Sequence, residues 1–335
     1  MMFGLAWSFL ALFEIFSVID GKADPLESYN VDTAKVSISG ISSGAAMATQ
    51  MHVIHSADFM GVGIIAGVPF ACSGGTAAGA AVCMTTPSVE SVSSLELLTS
   101  SGAFLGNIDA TSHMRHDKVY IFNGRSDSVV RPGNGPNIES YYNHYVLHSS
   151  VKTVFDMNAE HCMPTENYGG ACDRLSTSNF LNNCGYNAAY ELLNWIYGDL
   201  WKPTPNTLLK GQLKTFDQSE FFHLSVPATY SMDTYGYVYV PSGCQNKQTK
   251  CKLHIALHGC MQGRHFVNDE YVKHAGYNEV GELNNIIILY PQVVPIITNP
   301  NGCWDWFGYT GAYFATKSGF QITALDRMRR RVVGQ

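Results

Sequence analysis

The sequence predicts an α/β fold: a mostly parallel central sheet with helices on both faces. Three observations carry that expectation. A β-prone run, Lys35-Val36-Ser37-Ile38-Ser39, enters the turn Gly40-Ile41-Ser42-Ser43-Gly44, and a helix-prone run from Ala45 to Met51 leaves it. Two later β-prone runs, Lys118–Asn123 and Lys152–Met157, each lead into a loop bearing an ionisable group, Asp127 and His161. Three more, Gly236–Pro241, Lys252–Gly259 and Asn285–Pro291, stand near the end of the chain. Continuous apolar runs of this kind suit strands buried on both faces.

Length and composition allow a large core. The chain has 335 residues, 46% hydrophobic and only 14% charged, which suits one large domain or two small ones. The net charge of −6 carries no basic concentration before Arg327, Arg329, Arg330 and Arg331, so no nucleic-acid partner is expected. Those arginines read as the solvated face and last turn of a C-terminal helix, where cations suit the dipole.

The apolar stretch Phe3–Phe13, continuing past Glu14 to Ile19, is too short to span a bilayer. It reads as a secretory h-region, so residues 1–22 are expected to be a signal peptide, with no stable membrane anchor. The cysteines agree. Eight of the nine pair naturally around loops: Cys72 with Cys83, Cys172 with Cys184, Cys244 with Cys251, and Cys260 with Cys303 over a longer range. None has zinc-site spacing, so disulfides and an oxidising, extracellular compartment are expected, with no metal. Cys162 is left over; if partly exposed, it would be able to bridge two copies of the chain.

In chain order, the turn helix is expected to run to about Ser56, followed by a buried strand over Gly61–Gly67. From Cys72 to Gly106 the sequence says little, beyond a short helix around Val92 to Ser100. After Asp127 come a helix over roughly Asn137–Leu147, the strand before His161, and a helix over Ala188–Tyr197. Lys202-Pro203-Thr204-Pro205 breaks the chain, and the segment near 198–235 reads as a link within one domain spanning 23–335.

G-x-S-x-G at a strand-to-helix turn is the nucleophile-elbow pattern of α/β-hydrolases. Such a sharp turn strains the serine backbone, presents its hydroxyl at the strand end, and aims a helix N-terminus at developing negative charge. Ser42, Asp127 and His161 each follow a predicted strand, in the order serine, acid, histidine. Asp127 alone would be an ordinary turn residue, and His52 with His55 would imitate a metal pair, although no third ligand is evident. The joint arrangement carries the signal. His258-Gly259-Cys260 resembles the turn that supplies an oxyanion N–H, yet it follows the nucleophile by some two hundred residues. A circularly permuted α/β-hydrolase accounts for that order, because domain termini often lie close together.

Five motifs occur in sequence: Val36–Gly44; Gly124-Arg125-Ser126-Asp127; His161-Cys162-Met163-Pro164-Thr165; Leu257-His258-Gly259-Cys260; and Asn299–Trp306 with its Trp304-Asp305-Trp306 cluster. Together they resemble the one-domain secreted polyhydroxybutyrate depolymerases over about Ser28 to Val333. The resemblance implies Ser42 as nucleophile, Asp127 as acid, His161 as base, and the backbone N–H groups of Ser43 and Cys260 as oxyanion hole. It implies that Trp306 contacts substrate and that Cys260–Cys303 ties the hole to the tryptophan loop. The expected activity is hydrolysis of poly(3-hydroxybutyrate) or short hydroxyalkanoate oligomers by a cofactor-free monomer. The rival readings are a carbohydrate-acyl or other short-chain esterase on the same fold, and a catalytically silent binding protein.

Overall fold

The structure, a computed structural model, describes residues 23–222 and 226–335. The expected signal segment lies outside the described residues. In chain order the described elements begin with β1 (Val31–Ile41), α1 (Ser43–Ile54) and β2 (Gly61–Ile65), then α2 (Ala77–Thr85) and α3 (Val92–Phe104). β3 (Lys118–Phe122), α4 (Asn134–Asn143) and β4 (Val151–Val154) follow. Three short strands, β5 (Met163–Thr165), β6 (Gly170–Ala171) and β7 (Leu181–Asn183), precede α5 (Ala188–Tyr197). Then come β8 (Gln212–Asp217), β9 (Tyr235–Val240) and β10 (Cys251–Leu257). The chain closes with α6 (Arg264–Val267), α7 (Glu270–His274), α8 (Tyr277–Asn284), β11 (Ile286–Tyr290) and α9 (Phe320–Val333).

The main sheet has the order β4-β3-β2-β1-β10-β11-β9-β8. Only β9 runs against the other seven strands. β1 is central, with Gly40 opposite Leu257 of β10 on one side and Ile64 of β2 on the other. Strand periodicity of two sends alternate residues to two cores. Ile38, Ile64, Ile121, Ile255 and Leu289 meet α1, α4 and α9 on one face. Ile65, Phe122, Ala256, Ile288 and Tyr290 meet α5, α7 and α8 on the other. α1 is buried along its whole length, which explains why its sequence lacks a polar face.

Every predicted strand and helix is present, α5 with the expected ends and the others with shifted ones, and all four cysteine pairs form disulfides. One expectation needs correction, and one condition is not met. Arg329 is not on a solvated face: it is buried, and its guanidinium donates to Asp326 at 2.7 Å and Asp58 at 3.0 Å. Cys162 does not meet the condition of partial exposure: it is fully buried, and burial beside Asp127 and Glu160 pushes its thiol pKa far up. A thiol so placed is neither a nucleophile nor a bridge between copies. The link after α5 also contributes structure, since β8 extends the sheet as its edge strand.

Candidate active site

The turn after β1 has the geometry its sequence requires. Ser42 has φ 55° and ψ −122°, a conformation costly for any residue with a Cβ. It is held there by its N–H, which donates to Ile65 O at 2.9 Å, and by its carbonyl, which accepts from Ala46 N at 3.0 Å. Gly40 makes the turn possible, since a Cβ there would lie 2.2 Å from the backbone of Gly44. The N-terminus of α1 thus sits beside the Ser42 hydroxyl, with no acidic residue in its first turn to oppose an anion.

Asp127 and His161 stand past the same sheet edge, after β3 and β4. The Nδ1–H of His161 donates to Asp127 Oδ2 at 2.9 Å, and both side chains are buried. Asp127 Oδ1 also accepts the N–H groups of Val129 and Val130 at 2.9 and 2.8 Å, which fix the carboxylate before it meets the ring. Asp127 is therefore more than a turn residue. The Ser42 hydroxyl makes no hydrogen bond to the ring, and such bonds are often long until substrate is present.

The turn after β10 packs directly against this elbow. Gly259 lies close to Ser42, where an added Cβ would come 3.3 Å from that of the serine. The Gly259 N–H is taken by Gln262 Oε1 at 2.8 Å and the Met261 N–H by Asn301 O at 2.8 Å. Among the described residues the Cys260 N–H between them has no protein acceptor. His258 supports the turn: Nδ1 donates to Gly259 O at 2.7 Å and Nε2 accepts from Val293 N at 3.3 Å. Burial pushes its pKa down to about 4, so the ring stays neutral in that tautomer. Trp304 bridges the two sides. Its Nε1–H donates to His258 O at 2.9 Å and its N–H to Ser43 Oγ at 3.3 Å.

The elbow and the Cys260 turn both open onto a cavity of about 190 Å³. Ser42, Ser43 and Cys260 form one end, and Ala80, Met84, Val130, Trp306 and Phe307 contribute apolar walls. Among the described residues no charged side chain lines it. Asp305, between the two tryptophans, faces away and organises their loop by accepting the N–H groups of Gly308, Tyr309 and Thr310.

No protein-family model matches the chain. It is 39% identical over 310 residues to the poly(3-hydroxybutyrate) depolymerase of Delftia acidovorans, covering 92% of this chain and 61% of that protein. It is 33% identical over 327 residues to the polyhydroxybutyrate depolymerase of Talaromyces funiculosus, covering 93% of each. The chain belongs to the polyhydroxybutyrate depolymerase family. The crystal structure of the depolymerase from Penicillium funiculosum superposes with a TM-score of 0.85 at 32% identity, covering 92% of this chain and 99% of that one. A serine-to-alanine variant of a PHB depolymerase complexed with an R3HB trimer superposes with a TM-score of 0.86 over the same shares. The chain thus spans about three-fifths of the Delftia relative and nearly all of the fungal ones.

Within this depolymerase fold, the residues read from the sequence fall into two groups. Asp127 and His161 bond directly, while Ser42, Ser43, Cys260 and Trp306 share the cavity wall. His52 and His55 are not a metal pair. His52 bonds Tyr142 and Asp117 at 3.2 Å each, and His55 lies by Asp58 and Asp326, whose charge Arg329 already meets. The sequence reading missed α2, whose alanines form one wall, and the bracing roles of Trp304, His258 and Gln262. Cys72 and Cys83, which tie α2 down, were the available signal for that wall.

Proposed function

We propose that residues 23–335 form one catalytic domain, a serine esterase that hydrolyses poly(3-hydroxybutyrate) or short hydroxyalkanoate oligomers through an acyl-serine. The observation that carries this reading is the bonded Asp127–His161 pair at the sheet edge that presents Ser42 to an apolar cavity. Ser42 Oγ attacks the ester carbonyl as His161 Nε2 takes its proton, and Asp127 holds the Nδ1–H tautomer and the imidazolium that forms. The N–H groups of Ser43 and Cys260 receive the oxyanion; one such donor contributes about 10²–10³ in rate. His161 returns the proton to the departing hydroxyl of the chain, then activates the water that releases the acid.

The walls suit an aliphatic hydroxyacyl unit better than a sugar, because they offer few polar side chains to pair with hydroxyls. The trimer-bound relative supports the same substrate class, and Trp306 is the aromatic that would contact it. The placement of β10 beside β1, with β11 and β9 next outward in the same sheet, supports the permuted reading of the chain. Four disulfides and the expected signal segment over 1–22 support secretion. We further propose that the enzyme works as a monomer without cofactor. No helix among the described residues is long and apolar enough to cross a membrane.

The test is clearing of a fine poly(3-hydroxybutyrate) suspension by purified wild type, with Ser42→Ala alongside. Clearing by wild type alone supports polymer, serine and fold together. Cleavage of soluble butyrate esters without clearing would move the assignment to a small-ester or carbohydrate-acyl esterase. Equal clearing by Ser42→Ala would sink the mechanism.

A further inference from the structure

The loops carrying Asp127 and His161 continue the pairing of β3 and β4 beyond the strands. Arg125 N donates to Met157 O at 2.8 Å, Ser126 N to Ala159 O at 3.1 Å, and Ser126 Oγ to Asn158 Oδ1 at 2.6 Å. Glu160 closes this zipper with a single oxygen. Its Oε1 accepts Ser128 N at 2.6 Å, Ser128 Oγ at 2.8 Å and His161 N at 2.9 Å. Ser128 follows the acid, and His161 follows Glu160 itself. One carboxylate oxygen therefore joins the backbone of the acid's loop to the backbone of the base. Partial burial works against the Glu160 charge, but these N–H and O–H donors more than offset it and hold its pKa below the usual carboxylate value.

We propose that Glu160 is a positioning residue for the catalytic pair: by clasping Ser128 and the His161 N–H it sets the Asp127–His161 hydrogen bond. The proposal rests on the reading of Ser42, Asp127 and His161 as the catalytic set. Glu160 touches neither substrate nor reacting atom. Its effect comes through the register of two loops whose other backbone and side-chain bonds, apart from the Asp127–His161 pair itself, lie farther back at Arg125 and Ser126. The backbone N–H groups of Val129 and Val130 orient Asp127 from its own loop, whereas Glu160 reaches across to Ser128 with the same oxygen that holds the neighbouring His161 N–H. A glutamine keeps an oxygen in place to accept all three donors, while an alanine leaves the Ser128 and His161 N–H groups unpaired.

The test compares wild type, Glu160→Ala, Glu160→Gln and Ser128→Ala. Two readouts are taken: kcat and KM on p-nitrophenyl butyrate, and the low-field proton NMR resonance of the His161 Nδ1–H in resting protein. Glu160→Ala is expected to lose about 10- to 100-fold in kcat, as small misplacements of reacting groups do, with KM within about threefold. Its low-field resonance should broaden or move upfield, and Glu160→Gln should restore both kcat and the resonance. An intact resonance in Glu160→Ala with unchanged kcat overturns the proposal. So does an equal fall in Glu160→Gln and Glu160→Ala, since that would assign the effect to charge rather than to the clasp. If Glu160→Ala does not fold, Ser128→Ala and Glu160→Gln decide. A shifted resonance in the former with a retained one in the latter supports the clasp, and the reverse overturns it. The NMR comparison needs no turnover, so a wild type inactive on every ester would defeat the esterase reading while leaving the clasp separately measurable.

Discussion

A methyl group on Gly44 would lie 2.4 Å from the carbonyl oxygen of His258 and equally close to that of Leu257. The second glycine of the G-x-S-x-G turn is thus a packing requirement between α1 and the end of β10. Two segments separated by two hundred residues in sequence meet there with only backbone between them. This contact fixes the distance between the Ser43 N–H, on α1, and the Cys260 N–H, two residues past His258.

Gly44→Ala therefore has to push α1 and β10 apart. Contacts under 3.0 Å with backbone cannot be relieved by a rotamer change, and overpacking typically costs about 1–3 kcal/mol. The expected result is a folded but less stable protein whose kcat on p-nitrophenyl butyrate falls about 100-fold or more, because one oxyanion donor is displaced. Thermal unfolding and steady-state kinetics of the purified variant check this. Wild-type kcat would show that the two N–H groups do not act together.

Asp127→Asn keeps the shape of the acid and alters what it can accept. The amide oxygen is still able to bond the Val129 and Val130 N–H groups, while its NH2 favours the wrong tautomer of His161. A loss of about 10⁴ in kcat is expected with unchanged melting behaviour. Loss of only a few fold would show that another group orients the ring.

The α2 wall offers a direct test of substrate size. Ala80 is buried in the small cluster containing Trp306, Val68 and Val130 and faces the cavity of about 190 Å³. Ala80→Phe would place a ring in that space. Hydrophobic pockets discriminate by about 1–3 kcal/mol per methylene. The variant should therefore lose at least about tenfold in kcat/KM on butyrate relative to acetate esters. Equal losses on both substrates would mean that the acyl group lies elsewhere.

How far the sequence reaches follows from these same residues. The placement of Ser42, Asp127 and His161 past β1, β3 and β4 was legible because each signal is local: an apolar run, a turn, and a polar side chain just beyond it. α2 was not. Its stretch Ala77–Thr85 contains Gly79 and little apolar periodicity, and the helix is set by the Thr76 cap on Gly79 N and by the Cys72–Cys83 bond. β8 gains its order from pairing with β9, which its own mixed residues do not announce. Arg329 looked solvated because its pair with Asp326, one helical turn away, is ordinary on an exposed face, while Asp58, its second partner, lies far away in sequence. Tertiary partners of this kind leave no local pattern.

Acid stability should be governed by buried histidines before the carboxylates protonate. His254 is fully buried on β10, with Ser37 Oγ and Ser39 Oγ each 2.7 Å from a ring nitrogen. Burial pushes its pKa down to about 3, and that of His258 to about 4. Burial lowers His55 as well. In the unfolded chain these rings titrate near about 6.5. The native state binds fewer protons below that value, so their contribution is complete above about pH 6.5 and is lost as pH falls toward 4 and then 3. Each ring steepens the loss by about 1.4 kcal/mol per pH unit in that window. Urea unfolding at pH 6.5, 5.75 and 5 is the measurement. His254→Gln, which has no ring to protonate, should show a slope shallower by about one proton. A variant whose stability falls as steeply as wild type between those values would show that His254 is not held neutral in the sheet.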